Sequence, residues 1–312
     1  MDSLPVAVVI VSYNGQHWIR ECLRSVTECL GIGEIVVVDN ASSDQTCDIV
    51  RSTFPGVTLI EMSQNTGFGY ANNVGISRAL QTEVQGVLLL NQDARIASDA
   101  VQTLTRVANR NPQFGILSPM QLNYDGTLFH RGFLKYLAMS CNAYLTAAAL
   151  STVEEVYVFP NAPAAIWYLP LTTLVQIGGF DPLFFVYCED SDYVNRTLKS
   201  GMKVGLVPAA VAFHDDTPGI PTPRKLMMLF ESQQKIFLKE CDSLPVGFLK
   251  TAKRCGLRSI SQLLHLDLRG AFQTCNVLRR LMFNASTLRK SRTRNTAIEQ
   301  FRFLNRIPQN DN

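Results

Sequence analysis

Several short clusters of polar side chains interrupt the first 216 residues, and each can do chemistry. Val87-Leu88-Leu89-Leu90 runs straight into Asn91-Gln92-Asp93. Side chains two apart in extended chain face the same side. An amide oxygen and a carboxylate so placed, at the carboxyl end of a buried strand, can hold a hard divalent cation and through it a phosphate. The same residues also suit a plain turn. Asp39 closes Ile35-Val36-Val37-Val38, next to Ser12-Tyr13-Asn14. Its carboxylate can accept hydrogen bonds from a ribose or a base edge, or it can cap a turn, and Tyr13 can pack on a base. Gly67-x-Gly69 opens a helix and would let backbone approach a phosphate. The glycine spacing is not a dinucleotide fingerprint, and no Walker lysine is present, so a nucleotide is expected with neither NAD nor ATP indicated. Glu189-Asp190-Ser191-Asp192 follows the aromatic run Phe184-Phe185-Val186-Tyr187. A carboxylate in a partly apolar cleft can serve as general base on a hydroxyl. Acids at a helix start also simply complement the dipole. His214 is more often structural when alone; with Asn91 and Asp93 it can complete a metal site.

The elements that must position these groups alternate. Strands are expected at Val6–Val11, Ile35–Val38, Val57–Glu61 and Val87 onward, the last ending in Asn91 and Asp93. Helices follow each, one with Trp18, Ile19, Cys22, Leu23, Val26 and Leu30 on one face, stopped by Gly31 and Gly33. Asp44 is the expected N-cap of the next. Strand and helix in alternation indicate a mainly parallel α/β sheet, and the polar clusters share its carboxyl edge. A further helix starts at Ser98, a strand covers Phe114 to Leu122, and Lys203–Pro208 is the last strand before His214. Residues 123–160 show no clean period and read as either a lid or an irregular structural excursion.

Charge divides the chain. Residues 1–222 carry 12 Lys+Arg against 20 Asp+Glu, whereas 223–312 carry 17 against 6. An acidic body and a basic helical tail, with domains at 1–221 and 222–312, suggest that the tail meets something anionic. Its apolar residues are interleaved with Lys and Arg, which suits a membrane face or a subdomain packed on the body. No nucleic-acid module is visible, and Pro308–Asn312 is expected to fray. The eight cysteines include no C-x-x-C pair and read as free thiols in a reducing compartment. Neither a signal peptide nor a spanning apolar run is evident.

In order, Val9-Ile10-Val11-Ser12-Tyr13-Asn14, Val37-Val38-Asp39-Asn40-Ala41-Ser42-Ser43-Asp44, Asn65-x-Gly67-Phe68-Gly69-x-Ala71-Asn72-Asn73-x-Gly75, Leu90-Asn91-x-Asp93, Gly178-Gly179-Phe180-Asp181 and Glu189-Asp190-x-Asp192 resemble the motifs of family 2 glycosyltransferases of the rhamnosyltransferase-like bacterial subgroup. The resemblance covers about residues 5–216. It implies a GT-A fold, a mainly parallel mixed sheet flanked by helices, here with a basic helical extension. It further implies inverting transfer from a nucleotide diphosphate-sugar (dTDP-rhamnose or UDP-hexose type) to a glycan or glycolipid acceptor in cell-surface polysaccharide synthesis. Asp190 would be the base and Glu189 its neighbour in the acceptor site. Asp93, Asn91 and His214 would hold Mg²⁺ or Mn²⁺. Ser12, Tyr13, Asn14, Asp39, Asn40, Asn65, Gly67, Asn73 and Asn91 would surround the nucleotide-sugar. Many relatives carry Asp where Asn91 stands, so metal affinity is expected to differ. The enzyme would work in the cytoplasm, peripherally on the inner membrane face through its basic helices, and a homo-oligomer is a further expectation. The competing readings are a non-catalytic sugar-nucleotide-binding or scaffold protein of the same fold, and a processive synthase. The lack of spanning helices and of a Gln-x-x-Arg-Trp motif disfavours the synthase.

Overall fold

The computed structural model describes residues 4–217, 222–296 and 303–304. The chain runs β1 (Val6–Ser12), α1 (Ile19–Thr27), β2 (Ile32–Asp39), α2 (Thr46–Thr53), β3 (Thr58–Glu61), α3 (Phe68–Ala79), β4 (Gly86–Asn91), β5 (Ala94–Ile96), α4 (Ala100–Arg110) and β6 (Phe114–Asn123). It continues through α5 (Arg131–Ser140), α6 (Asn142–Ala149), β7 (Tyr157–Val158), β8 (Ile166–Pro170), α7 (Leu171–Ile177), α8 (Glu189–Lys199) and β9 (Lys203–His214). Four helices follow: α9 (Pro223–Glu240), α10 (Leu244–Leu264), α11 (Leu268–Phe283) and α12 (Ala285–Thr296).

The strands form one sheet in the order β3-β2-β1-β4-β8-β6-β9-β5, with β7 added on β9. β3, β2, β1 and β4 pair in parallel, and β8 runs antiparallel to β4. The sheet is therefore mixed, α/β, and covered on both faces. Along β1, Ala7 and Val9 enter one core cluster, while Val6, Val8 and Ile10 enter the other. A strand buried on both faces needs a continuous apolar run, which is why the run pattern identified these strands. Register fixes the site edge: Ser12 pairs with Asp39 and Val11 with Asn91, so three strands present their last residues at one level. Between Pro119 and Met120 the β6–β9 register skips to Val211, and Pro208, which has no N–H to give, sits in the skipped stretch. Beyond it β9 carries on to His214.

Several local expectations differ. β4 stops at Asn91, and Asp93 lies in the turn into β5, so the two do not share a strand face. Leu30 follows α1 and is 68% exposed. Gly31, at φ +85, turns the chain, but Gly33 lies inside β2. Asp44 precedes the cap position of α2 and still accepts a hydrogen bond from the Thr46 N–H at 3.0 Å. Residues 123–160 form α5, α6 and β7, whose Phe133, Leu137, Tyr144 and Tyr157 join the main core. Pro308–Asn312 lies outside the described residues. All eight cysteines are free.

Candidate active site at the carboxyl edge of the sheet

The carboxyl ends of β1, β2 and β4 open into a cleft of about 580 Å³ lined by Tyr13, Asn40, Asn65, Gly67, Asn91, Gln92 and Asp93. Phe185, Val186 and Tyr187 close one side, and Thr222, Arg224, Lys225 and Met228 another.

Asp39 sits at the back of this edge, 2% exposed. Its carboxylate accepts from Ser12 Oγ at 2.9 Å and from the Ser42 N–H and Oγ at 2.8 and 2.6 Å. Ser12 thus orients Asp39. Asn14, in the left-handed region, accepts from the Ser43 N–H at 2.9 Å and ties the first loop to the loop after β2. Asn40 donates to Asn65 Oδ1 and the Gly67 carbonyl, both at 3.2 Å, and accepts from the Thr66 N–H at 2.8 Å. Its main role is to hold the Asn65–Gly67 loop. Gly67 has φ +86, and a Cβ there would meet the Phe185 carbonyl oxygen at 2.0 Å. The glycine is thus demanded by close approach of the 185 loop as well as by backbone conformation. Asn73 is placed differently from expectation. Its buried amide donates to the Phe180 carbonyl at 2.8 Å and accepts the Phe180 N–H at 2.7 Å, away from the cleft lining.

The structure brings Asp93 and His214 together, with Nε2 3.3 Å from the Asp93 carboxylate. The pairing comes from β5, antiparallel to β9, which sets Ala94 opposite His214. The Asp215 N–H also donates to the Asp93 carbonyl at 3.0 Å. His214 Nδ1 is buried without a hydrogen-bond partner. Among the described residues no three His, Cys, Asp or Glu side chains cluster as a metal cage. One carboxylate and one imidazole suit an octahedral cation that takes its other ligands from water and substrate phosphate, and Asn91 lines the same cleft as Asp93. His130 packs with its ring centroid 4.6 Å from that of His214, tilted by 32°, and caps α5, accepting the Phe133 N–H at 3.1 Å.

Glu189 and Asp190 open α8, outside the cleft lining but at the same edge. β8 pairs with β4, and Ala165, just ahead of it, accepts the Asn91 N–H at 2.9 Å. Asp190 lies beside Ala164 and near the Tyr136 hydroxyl of α5. Two consecutive residues before the helix, Tyr187 and Cys188, have φ +66, a strained approach for non-glycine residues. Burial pushes the Asp190 carboxyl above the usual range, against hydrogen bonds from Ser191. Burial, then the Asp190 charge, raises Glu189 from its ordinary 4.5 to about 7.

This strained segment is held from behind. On α9, Ser232, Lys235 and Lys239 follow at i, i+3 and i+7, on one helix face. Ser232 Oγ donates to the Val186 carbonyl at 2.9 Å and Lys235 Nζ to the Leu183 carbonyl at 3.2 Å. Fully buried Lys239 reaches Asp181 at 2.6 Å and also pairs with Asp192, which Arg196 contacts at 2.9 Å. Ser291 of α12 donates to Asp181 as well. Against burial, which works to raise it, Lys239 and Ser291 hold Asp181 below the usual carboxylate range.

Three contributors escaped the sequence reading. Gln92 clasps the Tyr13 peptide, accepting its N–H at 3.0 Å and donating to its carbonyl at 3.2 Å. Arg224 and Lys225 bring positive charge to the cleft from the first turn of α9. Their signal was present: Thr222-Pro223 is a helix start, and Thr222 accepts the Lys225 N–H at 3.2 Å.

Residues 7–148 match the family model described as Glycosyl transferase family 2. The low-salt glycan biosynthesis hexosyltransferase Agl10 of Haloferax volcanii is 23% identical over 214 residues, covering 67% of this chain and 67% of that protein. The N-acetylglucosaminyl-diphospho-decaprenol L-rhamnosyltransferase of Mycobacterium tuberculosis is 26% identical over 242 residues, covering 68% and 76%. Among solved structures, the mannosyltransferase PcManGT of Pyrobaculum calidifontis, in complex with GDP-Man and Mn²⁺, superposes with a TM-score of 0.56 at 19% identity. That match covers 94% of this chain and 84% of the other, and the likeness is one of fold.

Proposed function

We propose, from the glycosyl transferase family 2 match over residues 7–148 and the GT-A fold, that this chain is an inverting hexosyl- or rhamnosyltransferase of glycan biosynthesis. Its donor is a nucleotide diphosphate-sugar, and its acceptor a hydroxyl of a lipid-linked glycan. The observation that carries this reading is the pairing of Asp93 with His214 in a cleft that has Asp39 behind it and Arg224 in front.

The nucleoside lies against Tyr13, and Asp39, oriented by Ser12 and Ser42, accepts from its hydroxyls or base edge. Arg224 and Lys225 approach the diphosphate from α9 as charge-assisted donors. Asp93 and His214, with Asn91, would hold Mg²⁺ or Mn²⁺, which supplies charge neutralisation to the departing diphosphate. Asp190 is the general base. It takes the acceptor proton as the acceptor oxygen attacks the anomeric carbon, and the carbon–oxygen bond to the diphosphate breaks on the opposite face. Inversion follows from that geometry. The raised Asp190 carboxyl suits a base working near neutrality better than a surface aspartate would.

The work site is the inner face of a membrane, with the basic helices in peripheral contact. Among the described residues no helix is long and apolar enough to cross a membrane.

The test is a thermal-shift panel of nucleotide-sugars with Mg²⁺ or Mn²⁺, followed by transfer assays with the best donor. Stabilisation by one donor, with turnover abolished in Asp190→Asn, supports the reading. Donor binding without transfer or hydrolysis under any condition would make the protein a non-catalytic binder.

A further inference from the structure

Arg224 lines the donor cleft and also a second cavity of about 540 Å³ between α9, α10 and α11. Arg258 of α10 and Arg269 of α11 complete its cationic wall. Among the described residues these three arginines make no ion pair, in contrast to Arg196 or Arg280. Arg258 is laid over the Phe230 ring, 4.4 Å from its centroid, and its Nε is buried without a hydrogen-bond partner. The wall includes one acid, Asp267. It is occupied as the cap of α11, accepting the Gly270 N–H at 2.8 Å and Gln262 Nε2 at 3.4 Å. Three guanidinium groups that form no ion pair among the described residues suit the planar, multidentate recognition of a phosphate.

The residues beside this cavity are of the opposite kind. The turn joining α10 to α11 exposes Leu263, Leu264, Leu266 and Leu268, with Leu264 at 79% and Leu266 at 86%. A knob of leucines next to a cationic cavity roomy enough for a phospholipid headgroup reproduces the chemistry of a bilayer surface, headgroup beside acyl chain. A second copy seated symmetrically here would bring basic helices against basic helices, which charge disfavours.

We propose that the cavity between α9, α10 and α11 is a membrane-docking site that takes the phosphate of an anionic phospholipid, with the leucines of the α10–α11 turn entering the acyl boundary beside it. It deepens the peripheral-membrane reading and does not depend on the sugar donor or on Asp190. Docking there would hold the mouth of the donor cleft, through their shared Arg224, at the level of lipid headgroups.

Vesicle flotation of the full chain tests this, with phosphatidylcholine alone against phosphatidylcholine containing phosphatidylglycerol. Wild type should float with the anionic vesicles only. Arg258→Gln/Arg269→Gln should bind them about 25-fold more weakly, taking roughly fivefold per arginine. Leu264→Ser/Leu266→Ser should also lose binding, while Lys250→Gln/Lys253→Gln, with the same charge loss on α10 away from the cavity, should lose much less. Thermal melting of each variant separates lost docking from lost folding, and the leucine pair, being exposed, should melt as wild type. Equal losses in the arginine and lysine pairs would show diffuse attraction and overturn the site. So would absence of flotation by wild type, or saturable binding of inorganic phosphate by a protein that ignores vesicles. None of these outcomes depends on turnover, so failure here is distinct from failure of the transferase reading.

Discussion

The segments before and after Thr222 are stabilised in different ways. Up to β9, both faces of one sheet are buried beneath helices, and two large apolar clusters account for most of the interior. From α9 on, the interior is a small cluster of Met227, Leu238, Val277, Leu281 and Leu288. Much of the remaining apolar surface, including Leu249, Phe272 and Phe283, faces outward. The tail would be a poor domain on its own core. Its attachment has a buried polar centre: Lys239 and Ser291 are buried against Asp181 and Asp192, which belong to the same motifs as Gly179 and Asp190, while Leu183 packs on the tail's cluster and Leu304 lies in the body's core. Within the tail, Arg292 of α12 donates to the Leu238 carbonyl of α9 at 2.6 Å. On the proposed reading the chemistry belongs to the body, while the tail holds in place the segment that leads to Asp190. The composition break at residue 222 is not a break in the site.

Loss of the base should break the comparison furthest on the body's side. Asp190→Asn is expected to lower kcat by up to about 10⁴-fold, near 5 kcal/mol of barrier. Donor affinity, measured by calorimetry, should stay unchanged; a variant with near-normal turnover would remove Asp190 from the mechanism.

The tail's strongest effect comes through Lys239. Lys239→Met leaves two buried carboxylates without their shared cation, which should cost about 3–5 kcal/mol in urea unfolding. If the tail only decorates the body, the variant would unfold like wild type and keep its kcat.

A smaller effect is expected from pH. Glu189 titrates higher in the folded chain, near 7, than its ordinary 4.5. The folded state therefore binds the extra proton, and this contribution is fully present below about pH 4.5 and lost as pH rises through 7. Glu189→Gln should remove that slope, leaving the variant more stable than wild type at pH 8 by on the order of 2–3 kcal/mol. Parallel stability curves across pH 4–8 would count against a buried, protonated Glu189.

Legibility followed period and burial. β1, the second half of β2 and β4 could be read because burial on both faces demands uninterrupted Val, Ile and Leu. Residues 123–160 could not, because α5 and α6 bury few side chains each and so show a weak stripe. The turn at Gln92 and Asp93 was misread as strand because an apolar run marks where burial ends, not where hydrogen bonding does. Asp93 and His214 were foreseen as partners through their shared edge, although what joins them is the short β5. Asn73 was assigned by motif, whereas its contacts are with the Phe180 backbone. The Lys239 latch left no local signal. A lysine on an amphipathic helix ordinarily keeps its charge in water, and only the long-range fold reveals two aspartates waiting for it.

On the proposed reading one ligand is shared by the body's Asp93 and the tail's Arg224, which line the same cleft. Calorimetric titration of a nucleoside diphosphate with Mn²⁺ tests it most directly, on wild type, Asp93→Ala, Arg224→Gln and the double variant. Binding should depend on metal in wild type and lose that dependence in Asp93→Ala. Arg224→Gln should bind about tenfold more weakly, as expected for one charge-assisted contact. Wild-type affinity in Arg224→Gln, or unchanged metal dependence in Asp93→Ala, would contradict it.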